Sequence, residues 1–236
     1  MKTLQKNNYK VDFGQGGSAM LMTDKEIKNA IKSDLIKMEN YSPECLQPTS
    51  YDMRVGDRAF LSGNDLEIDV KTEKGIRIKP GQFALITTYE NIKMSDTIVG
   101  HIGIKSYFTR KGLILLAGLQ IDPGFEGVLV LGVYNASPRT MVLDYLTPFC
   151  TVEFHQLSGP VEKPYISSLD QRHGEMPKAD KDYLRMIETE SLSDISRNLK
   201  SLTENVSKLT TLYKFILPIL IAIFTAIVGA LLKLLL

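Results

Sequence analysis

The hydrophobic rhythm of the chain changes along its length, and each change marks an element. Residues 1–19 are polar, with a Gly-Gly pair and no apolar run of signal-peptide length, so a flexible arm is expected there. Thr23 and Glu26 then stand three apart, ahead of Ile27, Ala30 and Ile31. That is a capping-box spacing followed by apolar positions at helical intervals, and it predicts a short helix. From Ser50 to Leu157 the pattern becomes short runs rich in Val, Ile, Leu, Thr, Tyr and Phe, broken at Gly56, Gly63, Gly75, Pro80-Gly81, Gly100, Gly112, Pro123-Gly124, Pro138 and Pro148. Short strands at turn-spaced intervals predict an all-β barrel or jelly roll. With Pro160, Pro164, Gly174 and Pro177, residues 158–180 read as an irregular tail or linker.

Beyond the tail, residues 181–213 place Leu192, Ile195, Leu199, Leu202, Val206, Leu209 and Tyr213 in steps of three and four, with Ser, Asn, Lys and Glu between them. This heptad seam predicts a coiled-coil helix whose strand number the core residues do not fix; the alternative is one amphipathic helix lying on the β domain. Residues 214–236 hold the uncharged run Phe215 to Leu232, long enough to cross a hydrocarbon core of about 30 Å at about 1.5 Å per residue. Lys208 and Lys214 favour a cytoplasmic N-terminal side, so a single-pass C-terminal anchor is expected, in a bacterial inner membrane. Pro218 is expected in the first turn of the span. Ala222, Ala226 and Ala230, with Gly229, offer a face of small residues for helix packing.

Composition narrows the chemistry. The 236 residues suit one globular domain of about 150 residues plus an appendage. With 28 Lys and Arg against 27 Asp and Glu, the net charge of +1 gives no broad basic field. No nucleic-acid partner is expected, and a nucleotide would have to be met locally. Cys45 and Cys150 are isolated, which argues against a disulfide framework and for reduced thiols in a cytosolic domain. His101, His155 and His173 lack metal-ligand spacing, and the HxE and PCxxC motifs of zinc deaminases are absent. Zinc is therefore not expected, and any deamination would need a carboxylate to move protons at the base.

The chemically densest stretch is Gly103 to Asn135. A basic and hydroxyl segment (Lys105, Ser106, Arg110, closed by Gly112) precedes a strand over Leu113 to Ala117, a turn at Ile121-Asp122-Pro123-Gly124 and a strand over Val128 to Tyr134. Two strands split by a Pro-Gly turn make a β-arch or hairpin. Cations and a hydroxyl on one side and a lone carboxylate on the other are suited to a phosphorylated ligand.

The motifs KSYFTRKG and IDPGFEG, followed by a strand ending YN, resemble the centre of the dCTP deaminase and dUTPase superfamily, where the pattern is roughly RSSxxRxG, IDxGxxG and a strand. Met20 to Ile31 resembles that family's opening helix, Leu46 to Gly56 its QPxSYDLRLG strand, and Pro80 to Glu90 its PGxFxLxxTxE strand. The resemblance spans Met20 to about Leu157. It implies a distorted jelly roll assembled as a homotrimer, with nucleotide held between subunits; a three-stranded coiled coil would match that symmetry. YISSLDQRHG is similar to the family's closing tail, roughly YxGxYQxQxG, which folds over the triphosphate, with Leu169 and Asp170 where the family has Tyr and Gln.

What the resemblance implies for single residues follows the motifs. Asp122 matches the aspartate that, in dUTPases, orients the attacking water and contacts the sugar, while Mg²⁺ carried on the triphosphate spreads the charge. Phe125 matches the aromatic under the deoxyribose. Ser106 and Arg110 match phosphate contacts, with Lys105 where Arg is usual, which keeps charge but loses the bidentate fork. Gln120 and Gly132 complete the expected nucleotide-binding set. In the deaminases a glutamate ten positions beyond the motif aspartate relays protons; here that position is Gly132, so little or no dCTP deamination is expected. Tyr107 replaces a small residue, the glycine-rich C-terminal phosphate motif of dUTPases is absent, and Asp52 in the SYD motif is expected to be structural. Two functions fit. One is a membrane-anchored protein that binds pyrimidine deoxynucleoside triphosphates and retains dUTPase-type hydrolysis. The other is a catalytically inactive nucleotide-sensing trimer acting on the membrane, for instance as a bacterial stress or antiphage effector.

Overall fold

The computed structural model describes residues 20–116, 118–186 and 192–235 and, within the last segment, the side chains of residues 197–229. The expected arm over residues 1–19 lies outside the described residues, as do Ala117 and the side chains of Leu192, Ile195 and Ala230.

Met20–Leu21 form β1, and helix α1 (Asp24–Lys32) follows where the capping box is made. The Thr23 N–H donates to Glu26 Oε2 at 2.7 Å, and the Glu26 N–H to Thr23 Oγ1 at 3.5 Å. Ile27 and Ala30 bury the inner face of α1, and Ile31 is half-buried beside them. The chain continues through β2 (Ile36–Glu39), β3 (Tyr51–Leu61), β4 (Ile68–Asp69), β5 (Gly75–Ile78), β6 (Phe83–Met94) and β7 (Ile98–Ile104) to the single-turn helix α2 (Ser106–Thr109). Then come β8 (Leu113–Leu115), β9 (Gln120–Ile121), β10 (Glu126–Asn135), β11 (Met141–Asp144) and β12 (Pro148–Gln156). The strand expected over Leu113 to Ala117 thus ends at Leu115 within the described residues.

The larger sheet runs β8-β10-β6-β3-β12-β7-β9, with β1, β2 and β4 pairing beside it; β11 and β5 form a second, two-stranded sheet. Every described pairing is antiparallel. The order forces curvature. Laid flat, seven strands would hold β8 and β9 about 29 Å apart, yet the five steps from Leu115 to Gln120 reach at most about 18 Å. The sheet therefore curls until its ends approach, enclosing a core that includes Tyr51, Met53, Ile86, Phe149 and Phe154. Cys45 and Cys150 are buried free thiols. Burial pushes both thiols up, Cys150 well up, so native protein at neutral pH is expected to resist alkylation by iodoacetamide until it unfolds.

The SYDxR and TxE motifs meet in one buried network. Glu90, fully buried, accepts from the Arg54 N–H at 2.8 Å, from Arg54 Nε at 2.6 Å and from the Tyr51 hydroxyl at 3.5 Å. That hydroxyl accepts from the Ser42 N–H at 2.9 Å, and burial pushes the phenol up. Arg54 also donates to the Asn40 carbonyl and lies 4.9 Å from the centre of the Tyr89 ring.

After β12 come α3 (Leu169–Arg172), α4 (Lys178–Met186) and α5 (Leu192–Leu235). The chain divides into two compact units near residue 190. Of the helix expected from Lys181 to Tyr213, α4 belongs to the β domain and α5 to the second unit. Met176 and Leu184 are buried with Phe60 and Leu85, Lys181 pairs with Glu67 at 3.1 Å, and Arg185 Nε donates to the Asp65 carbonyl at 3.1 Å. In the second unit, α5 is continuous across Pro218, which stands in the first turn of the apolar run from Phe215 but in the interior of the helix. The ring removes one hydrogen bond of the helical ladder there. Residues 197–229 contain a stretch long and apolar enough to cross a membrane, and Phe215, Ile219, Leu220, Phe224 and Ile227 are exposed. The Thr225 hydroxyl donates to the Ala222 carbonyl at 2.9 Å, satisfying its polarity inside the helix. Leu199, Leu202, Val206, Leu209 and Tyr213 of the seam are likewise exposed.

Candidate functional site

The Asp-Pro-Gly turn builds the site. The Phe125 N–H donates to the Asp122 carbonyl at 3.1 Å; Pro123 takes the second position of the turn and Gly124, with φ of 90°, the third, as a type II turn requires. The tail then closes on this turn. The Tyr165 N–H donates to the Pro123 carbonyl at 2.8 Å, the Tyr165 ring stacks on Phe125 with centroids 6.1 Å apart, and the Glu126 N–H donates to Ser167 Oγ at 2.8 Å. Ser168 caps α3, where Gln171 Oε1 accepts from the Ser168 N–H and from the Tyr165 hydroxyl.

The two motif glycines make this approach sterically feasible. A Cβ at Gly124 would stand 2.8 Å from Pro164 and from the Tyr165 carbonyl, and one at Gly127, where φ is 141°, would fall inside contact distance of the Gln171 carbonyl. Gly127→Ala is expected to cost about 1–3 kcal/mol by strain and overlap and to release α3. Hydrogen exchange would show lost protection at the α3 amides, with the strands unchanged.

Between turn, sheet and tail lies a cleft of about 260 Å³. Its wall brings together Gln120, Asp122 and Phe125 of the expected set, backed by Ile102 and Val128 to Leu131. Gln120 Nε2 donates to Asp122 Oδ1 at 2.6 Å, which orients that carboxylate. Tyr165, Gln171, Pro177 and Asp180 complete the wall. Sequence reasoning singled out the tail but not these residues; the tail's resemblance to a closing segment was the one signal that pointed to them.

Lys105, Ser106 and Arg110 are not on this wall. Ile121 pairs with Gly100 on β7, and Ser106 lies six residues beyond Gly100, on the order of 20 Å of extended chain. Lys105 forms an ion pair with the buried Asp52, and Ser106 opens α2. Tyr107 on α2, Ile114 on β8, and Leu116 and Leu119 at the two ends of the β8–β9 connection are exposed.

Gly132 lies buried on β10 opposite Leu85, and a Cβ there would meet the Phe83 ring at 2.9 Å. Glu126, a nearby carboxylate, opens β10 and pairs with Lys93 at 2.9 Å; that ammonium holds its carboxyl below the usual range. Among the described residues no group of three or more His, Cys, Asp or Glu side chains is placed to hold a metal.

A curled antiparallel domain whose Asp-Pro-Gly turn turns a carboxylate and an aromatic ring into a cleft defines a class of β protein. Residues 21–157 match the family model described as dCTP deaminase-like, and the chain belongs to that family. A dCTP deaminase from Thermococcus kodakarensis is 38% identical over 146 residues, covering 62% of this chain and 89% of that one. A dUMP-forming dCTP deaminase from a Sulfurihydrogenibium species is 30% identical over 169 residues, covering 66% and 94%. Among solved structures, the 2'-deoxycytidine 5'-triphosphate deaminase of Agrobacterium tumefaciens aligns with a TM-score of 0.49 at 18% identity, over 59% of this chain and 48% of that one. The family match ends at residue 157, ahead of the tail, α4 and α5.

Proposed function

We propose that the chain binds pyrimidine deoxynucleoside triphosphates in clefts shared between copies of a homotrimer, and that α5 anchors the assembly in a bacterial inner membrane with the β domain cytoplasmic. The observation that carries the reading is the cleft wall. Gln120, Asp122 and Phe125 meet there, within the residues that match the dCTP deaminase-like family model. Among the described residues one copy supplies this wall with no cation, and Lys105 and Arg110 are not on it. The exposed Tyr107 of α2 and Ile114 of β8, with Leu116 and Leu119 of the β8–β9 connection, are suited to meeting a second copy, whose Ser106 and Arg110 would then face the phosphates. A parallel bundle of α5 seams would continue the same symmetry as a coiled coil.

Chemistry at this cleft would be hydrolysis rather than deamination. Asp122, held by Gln120, would orient a water at the α-phosphorus. Mg²⁺ fits in part: Asp122 offers a hard oxygen ligand, and phosphates and water would supply the rest. When bound it would spread the negative charge of the triphosphate. The test is to incubate the purified full chain, in detergent, with Mg²⁺ and dUTP, dCTP or dTTP, following binding and diphosphate release together. Turnover that falls on the order of 100-fold in Asp122→Asn supports the enzyme. If no nucleotide binds, the reading fails.

Binding without turnover would favour the second reading, a nucleotide sensor acting on the membrane as a stress or antiphage effector. What favours it is connectivity: the tail that walls the cleft leads through α4 to the membrane-length helix α5.

A further inference from the structure

The tail covers one ring of the cleft wall and adds a charge to that wall. Tyr165 stacks on Phe125, the ring expected under the deoxyribose, and leaves that ring buried. Asp180 adds a second carboxylate to Asp122 in the lining of the cleft, and these two are the only charged side chains on the wall among the described residues. A cleft whose wall carries two anions opposes a polyanionic ligand, since like charges a few ångströms apart repel even near solvent. The tail is nevertheless held firmly: the Tyr165 amide on Pro123, Ser167 on Glu126, and Met176 and Leu184 in the apolar cluster with Phe60 and Leu85.

We propose that residues 165–180 form an autoinhibitory strap, in which Tyr165 competes with the sugar for Phe125 and Asp180 is the specificity-determining residue that opposes phosphate. This rests on the nucleotide reading above and deepens it. A deoxynucleoside has to displace Tyr165 alone; a triphosphate has in addition to move Asp180. Asp180 lies in the first turn of α4, so a strap lifted by a triphosphate carries the start of α4 with it and loosens Leu184 from its cluster. Ligand binding thereby reaches the segment that ends at Met186, six positions before α5 begins.

The test uses the full chain in detergent and measures affinity for deoxyuridine, deoxycytidine, dUTP and dCTP by calorimetry. Asp180→Asn is expected to tighten triphosphate binding on the order of tenfold and to leave the deoxynucleosides unchanged. Tyr165→Ala is expected to tighten both classes. Glu175→Gln, which removes an exposed charge of the same tail away from the cleft wall, is expected to change neither. Hydrogen exchange at saturating dUTP is expected to show α4 less protected than in free protein. Weaker triphosphate binding by Asp180→Asn in the presence of Mg²⁺ would mean that the carboxylate helps to hold the metal, and would overturn the strap. So would α4 protection that rises with ligand. Binding that ignores both substitutions overturns this inference alone, whereas absence of all binding in every variant overturns the nucleotide reading with it.

Discussion

Ammonia release from dCTP is expected to stay at background when the purified full chain is supplied with dCTP and Mg²⁺. A positioned general acid–base group contributes about 10²- to 10⁴-fold, and the position expected to carry it is Gly132. The carboxylate on the same strand, Glu126, is not expected to substitute. Glu126 is six residues back along β10, about 20 Å of strand, and is committed to Lys93. Restoring the carboxylate by Gly132→Glu alone is not expected to restore activity, because the Phe83 ring already occupies the space a Cβ would enter. Phe83 also flanks the cluster of Phe60, Leu85, Met176 and Leu184, so displacing it overpacks the site at a cost of about 1–3 kcal/mol and disturbs the tail. Gly132→Glu combined with Phe83→Ala is the variant that gives the carboxylate room. Ammonia from the wild-type chain, measured by a coupled assay against a heat-killed control, would show that another group relays the protons.

What the sequence made legible follows the range of each interaction. The capping box of α1 is complete within four residues, and it formed where Thr23 and Glu26 placed it. The strand runs were readable from β-branched and aromatic residues, but not their order. Closure depends on β8 pairing with β10 while β9, five residues later, pairs with β7. The same distance limit hid the partner of Lys105: Asp52, on its ammonium in the fold, is remote from it in sequence. The heptad seam read from Leu192 begins where α5 does, but nothing local told the residues just after Lys181 apart from it, because a helix docked on a sheet and a helix in a bundle bury apolar residues at the same intervals. Leu184 could belong to either; its burial beside Phe60 assigns it to the β domain. The motif glycines were recognisable, yet their reason was not. Only the folded tail shows that Gly124 and Gly127 leave room for Tyr165 and Gln171.

Replacing Glu90 with Ala is expected to lower the melting temperature of the β domain on the order of 10 °C, since breaking a buried ion pair costs about 3–5 kcal/mol. Glu90 is fully buried, whereas the Arg54 side chain is 16% exposed, so the two single substitutions are not equivalent. Arg54→Ala leaves a carboxylate in the core with no cation; Glu90→Ala leaves a guanidinium that still donates to the Asn40 carbonyl and lies over Tyr89. The Arg54→Ala variant is therefore expected to be the less stable of the two. The double variant should recover part of the loss, giving a coupling energy of about 1–3 kcal/mol in a thermal or denaturant cycle. Neither residue lines the cleft, and so each variant, assayed well below its melting point, should bind nucleotide as the wild type does. Additive losses, or a binding defect at temperatures where the variants remain folded, would move the SYDxR and TxE motifs from the scaffold to the site.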